Sequence, residues 1–136
     1  RRQYKLWKII IPFIVVITIV LLSACELYLN ENYPILRIET EDTVIGVYNE
    51  EKSGYEYTIS GTLVNHGAAG QFAIKVFVLQ NNRWEVKLTY GPSYIKDRAN
   101  FNLSWIDSTE YRGNIRVDFY AVRLDGKSKK AITREY

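Results

Sequence analysis

The chain has 136 residues, enough for one ordinary domain and, once a membrane segment is subtracted, too few for two. Eleven Tyr, five Phe and three Trp beside many β-branched residues favour a pleated, half-buried surface over a helix bundle, and the single Cys excludes an internal disulfide and any Cys/His metal cluster. The formal charge of +3 is not a nucleic-acid footprint, because Arg1, Arg2, Lys5 and Lys8 lead the chain with no acid among them, and 14 basic residues meet 15 acidic ones after Cys25.

Residues 1–29 read as this basic flank followed by a hydrophobic helix. The stretch IIIPFIVVITIVLLSAC, residues 9–25, carries no charge over 17 positions. At about 1.5 Å per residue it covers about 25 Å, borderline against a hydrocarbon core of about 30 Å. Pro12 is expected in the first turn, where its missing N–H matters least. The basic flank predicts a cytoplasmic N-terminus and an exported remainder, anchored at the cell membrane on its extracytoplasmic side. The same features describe a secretory signal, with a basic region, an apolar region and small residues before a cut. LSAC, residues 22–25, resembles the lipobox of bacterial and some archaeal lipoproteins, and that resemblance implies a diacylglycerol thioether on Cys25 and cleavage before it. The other reading is an uncleaved single-pass anchor with Cys25 facing lipid or a neighbouring helix. The chain opens on Arg1 and has no Met, so the natural N-terminus stays open.

Residues 30–33 form a linker, and residues 34–136 alternate with period two. Strands are expected near 35–38 and 44–48. GYEYTISGTLVN puts Tyr55, Tyr57, Ile59 and Leu63 on one face. QFAIKVFVL turns Phe72, Ile74, Val76 and Val78 inward, RWEVKL does so with Trp84, Val86 and Leu88, and NFNLSWI with Phe101, Leu103 and Trp105. NIRVDFYAV contributes Ile115, Val117, Phe119 and Ala121, and a last strand is expected near 130–134. Turn signals separate these runs at 53–54, 65–70, 81–82, 91–92, 107–110 and 125–126. Seven or eight short strands at this spacing predict an all-β antiparallel sandwich of the immunoglobulin-like kind, without the Cys pair of antibody domains.

One segment supports a closer comparison. YTISGTLVNHGAAGQFAIKVFV, residues 57–78, resembles the strand-turn-strand unit of CARDB-like and FxLYD-like domains, small immunoglobulin-like modules of bacterial and archaeal envelope proteins. Gly61, Val64, Asn65 and Gly67 occupy the positions of their Gly-x-hydrophobic-hydrophobic-Asn strand end and Gly-containing turn. Asn and Gly suit such a turn because they tolerate left-handed backbone, and Asn can bond its own main chain two residues on. The run FVLQNNRW departs from the Leu-Tyr-Asp of the second family.

Chemistry is sparse. His66, the only histidine, lies in the NHGAAG turn. Glu39, Glu41 and Asp42, and then Glu50 and Glu51, cluster near expected loops and suggest the alternative of a small ligand- or calcium-binding module with a pocket lined by Glu41, Asp42 and Glu50. No phosphate-cradling loop, zinc spacing or nucleophile elbow occurs, so the expectation is a protein that is not an enzyme and uses no cofactor. Asn102 opens an NLS glycosylation sequon on an outward position. Alternation leaves Phe77 and Leu79 outward on one strand and Tyr120 and Val122 outward on another. Neighbouring in one sheet, these four are expected to form an apolar patch that docks a protein partner. The resulting expectation is a membrane-anchored, exported binding or structural module, such as an envelope protein or an accessory subunit of a membrane assembly.

Overall fold

A computed structural model describes the backbone of residues 2–136 and the side chains of residues 5–21 and 32–136. The Cys25 side chain, and with it the expected lipid attachment, lies outside the described residues. The N-terminal helix α1 runs Arg2–Glu31. It takes in the basic flank, so Pro12 sits inside it and not in its first turn. Among the described residues no helix is long and apolar enough to cross a membrane. Within α1 the described uncharged run is residues 9–21, about 20 Å of helix. The expected single-pass span is therefore not carried by the described side chains.

Seven strands follow: β1 (Leu36–Asn49), β2 (Gly54–Asn65), β3 (Gly70–Gln80), β4 (Arg83–Ile95), β5 (Arg98–Asp107), β6 (Ile115–Val122) and β7 (Ser128–Glu135). They form two antiparallel sheets, β1-β2-β5 and β4-β3-β6-β7. The chain is thus an all-β sandwich behind a helix. The inner faces of β2, β3, β5 and β6 follow the expected alternation, and Tyr57, Ile59, Leu63, Phe72, Ile74, Val76, Val78, Phe101, Leu103, Ile115, Val117, Phe119 and Ala121 are all buried. Across the core Phe101 meets Phe119 edge-on at 5.3 Å, and Trp105 stacks on its cross-strand partner Tyr57 at 4.7 Å.

Three expectations change. The two strands foreseen at 35–38 and 44–48 are one, because β2 offers a full-length partner and β1 absorbs the mismatch in two register shifts, at Ile38/Thr40 and Ile45/Val47. Gly46, at φ +62°, supplies the left-handed residue of the second. Its charged middle is an edge strand and not a loop. Gly91-Pro92, foreseen as a turn, lies inside β4 at a register shift opposite Ala73. Trp84 and Val86 face solvent where burial was foreseen. Val76 pairs with Leu88 and Phe77 with Val86, so Lys87 is left over and the alternation flips on one side of it.

Register places the start of β1, the end of β2 and the start of β5 together, and likewise the start of β3 with the ends of β4 and β6 and the start of β7. This near end is where the chain arrives from α1. Two side chains of β2 hold the two ends. At the near end Asn65 accepts from the N–H groups of Ile35 (2.9 Å) and Gly67 (2.8 Å) and donates to the carbonyls of Ala68 (2.8 Å) and Lys96 (2.9 Å). At the far end the Tyr57 hydroxyl accepts from Tyr111 N–H (2.6 Å) and donates to the Thr109 carbonyl (2.7 Å).

Candidate docking face

The two outer faces of the sandwich differ in chemistry. On the three-stranded sheet, β2 and β5 present a ladder of short polar side chains, with Thr58 bonded to Ser104 (3.2 Å), Thr62 donating to Asn100 (3.0 Å) and Ser60 opposite Asn102, while Ile106, Val44 and Val47 are exposed beside it. Asn102 is exposed there, as the sequon reading expects, and its Oδ1 accepts from the Ser104 hydroxyl at 3.0 Å. On the four-stranded sheet the outer residues are large. Leu79 lies opposite Trp84, and Phe77 lies between Val86 and Arg116. Trp84 is 38% and Val86 56% exposed. The Arg116 guanidinium stands 4.5 Å from the Phe77 ring and 5.1 Å from the Trp84 ring, a cation held over two aromatic faces.

Beside this cluster Asp118 is buried in the centre of the face. It accepts from the Thr133 hydroxyl at 3.0 Å, and Arg116 and Lys130 each approach its other oxygen at 3.5 Å. Lys75 is its cross-strand partner on β3 and also reaches to 5.7 Å from the Tyr120 ring. The buried carboxylate thus pairs with the guanidinium that stands over the Phe77 and Trp84 rings.

The four expected patch residues do not form one cluster. Phe77 and Leu79 are half-buried and join Trp84 and Val86. Tyr120 is half-buried four residues along β6 from Arg116, about 13 Å away at strand rise, with Lys75 and Asp118 between. Val122 is buried and leaves the patch. The arriving chain lies over that corner: Tyr33 sits against Arg123 and Lys129, the neighbours of Val122 and of its partner Ser128. Trp84 and Val86 were expected inward because the bulge at Lys87 has no composition signal, and Arg116 joins them through the pairing of β6 with β3.

Lys87 itself is turned toward the other sheet. It pairs with Asp107 on β5 and lies 5.8 Å from the Tyr111 ring, closing the β4–β5 side of the sandwich. The hydrogen bond to Asp107 holds its ammonium above the ordinary lysine value. Burial pushes the Tyr57 phenol up in the same region.

The acidic residues do not converge. Glu39, Glu41 and Asp42 lie in β1, with Glu39 bridged to Arg98 (2.6 Å) and Glu41 to Arg134 (3.7 Å). Glu50 and Glu51 lie in the β1–β2 turn at the far end. Among the described residues no group of three His, Cys, Asp or Glu is placed to hold a metal. His66 is exposed in the β2–β3 turn, with its main-chain N–H on the Ile35 carbonyl at 2.9 Å.

No protein-family model matches the chain, and neither a curated protein nor a solved structure matches it.

Proposed function

We propose that the chain is a non-enzymatic binding module, tethered to a membrane by its N-terminal segment and docking a protein partner on the outer face of its four-stranded sheet. The observation that carries this reading is the contrast between the two faces. The middle of one is a ladder of Ser, Thr and Asn with Val44, Val47 and Ile106 exposed around it, and the other groups Trp84, Val86, Phe77 and Leu79 around a guanidinium paired with a buried carboxylate. Exposed Trp beside a positioned Arg is the composition of interface hot spots, and adjacent exposed apolar residues are uncommon on a free surface.

Within this proposal the sandwich is immunoglobulin-like. Its first, second and fifth strands share one sheet and its third, sixth and seventh the other, as in that fold, while the fourth pairs with the third where antibody constant domains pair it with the fifth. The resemblance to CARDB-like and FxLYD-like envelope modules rests on Gly61, Asn65 and Gly67, and the bonding of Asn65 gives that motif a physical role. Cys25 is the proposed lipid attachment, with export following from the basic flank. An intact mass beginning at Cys25 with added acyl mass supports the lipid, and a chain that keeps residues 1–24 removes it.

A photo-reactive side chain at position 86 tests the docking face against one at position 102 on the polar face, both in the full chain in its native membrane. One discrete adduct from position 86 and none from 102 is expected. Equal labelling from both positions sinks the reading.

A further inference from the structure

The charge of the sandwich is unevenly placed. Residues 34–136 carry 14 basic and 13 acidic side chains. The near end, taken as its loops and the two strand residues next to each, holds six of the basic ones (Arg37, Lys96, Arg98, Arg123, Lys127 and Lys129) against Asp97 and Asp125. The far end, bounded in the same way, has as many acids as bases. Three large apolar side chains project from the same near end: Ile35 at 60% exposure, Tyr94 at 61% and Leu124 at 51%. Leu124 tips the β6–β7 turn, where Asp125 is bonded by Arg123 and by the Lys127 N–H and its carboxyl is held down to about 2, so the turn keeps a fixed shape.

The position of this end follows from chain length. α1 ends at Glu31, and only Asn32 lies between it and Tyr33, whose ring is 4.5 Å from the Lys129 ammonium and 5.1 Å from the Arg123 guanidinium. Pro34 is buried in the sandwich. A lipid on Cys25 would leave seven residues before Tyr33, at most about 25 Å of chain and about 10 Å if helical. Cations ringed with exposed aliphatic and aromatic tips are the composition that settles at a charged lipid interface.

We infer that the near end of the sandwich is a second membrane contact, in which Lys96, Lys127, Lys129 and Arg37 meet the phosphates of anionic phospholipid headgroups while Ile35, Tyr94 and Leu124 enter the interfacial layer. This rests on the membrane tether proposed above and adds a lipid preference and an orientation to it. The domain stands with β1 to β7 rising from the bilayer, and the Trp84 cluster is presented toward the far end, clear of the surface. Each lysine near an anionic surface strengthens the contact about fivefold, and the effect falls within a Debye length.

The test uses the full chain reconstituted on vesicles of phosphatidylcholine alone or with about a third phosphatidylglycerol, read by flotation and by amide hydrogen exchange of residues 94–98 and 123–129. Flotation with both vesicles is expected, with exchange in these segments several-fold slower on the anionic ones. That slowing should disappear in about 1 M salt, where the Debye length is about 3 Å, and in the variant K96Q/K127Q/K129Q. A chain that floats with both while its near-end loops exchange at one rate overturns this inference and leaves the tether standing. A chain that floats with neither overturns both.

Discussion

Asn65 makes four hydrogen bonds to the main chain of three separate segments, so its side chain substitutes for strand pairing where the chain enters and two loops cross between the sheets. Removing it strands buried donors and acceptors at about 1–3 kcal/mol for each group left unsatisfied. Asn65→Ala is expected to lower unfolding free energy by about 3 kcal/mol, read from the urea midpoint at unchanged slope. A cost below about 1 kcal/mol would mean that water replaces it freely. Lys87 and Tyr57 give a pH signature. Both are raised above their ordinary values of 10.5 and 10.0. A raised folded value means the protonated form is favoured in the fold, so the contribution is full below the ordinary value and is lost as pH rises past it toward the folded one. Stability is expected to fall above about pH 10, and the gap between the native chain and Lys87→Met, wide at pH 7, should narrow as pH exceeds about 10.5. A gap constant from pH 7 to 12 would remove Lys87 as the titrating partner of Asp107.

At the level of elements, bulges decide what the alternation alone cannot. The first shift of β1 brings the Thr40 carbonyl against Gly61 of β2, and a Cβ at Gly61 would lie 2.0 Å from that oxygen. Gly61→Ala therefore forces β1 away from β2, and a loss of about 3 kcal/mol or more is expected, with exchange protection falling first in β1. Near-native stability of that variant would show that β1 re-pairs in another register. The inner positions of β2, β3, β5 and β6 were legible because both periodicity and burial have period two and no residue is inserted. In β1 and β4 the inserted residues, among them Lys87, changed which side chains face the core. A bulge is set by the partner strand, and no local preference of Lys87 signals it.

For the molecule as a whole, the two sheets are closed along one side by Lys87 with the buried Asp107, and along the other by Arg134 with Glu41, both exposed. Solvent screening makes the second worth little, so Arg134→Ala is expected to change stability by less than about 0.5 kcal/mol, and a calorimetric shift of several degrees would contradict this. The paired variant Trp84→Ser/Val86→Ser should likewise melt near the native temperature, because neither side chain belongs to the buried core; unfolding at room temperature would show that the exposed cluster is structural and not a docking face. The sequence by itself determined the two-sheet antiparallel class, the inner faces of four strands and the turn at Asn65, since these follow from period-two burial and from local backbone preferences. Only the tertiary structure decided that the apolar patch centres on Trp84, Val86 and Arg116 without Val122, that the β1 acids pair with Arg98 and Arg134 of distant strands, and that the basic side chains gather at the end adjoining α1. Each of these depends on register and on which strands share a sheet, and neither quantity is encoded within any one segment.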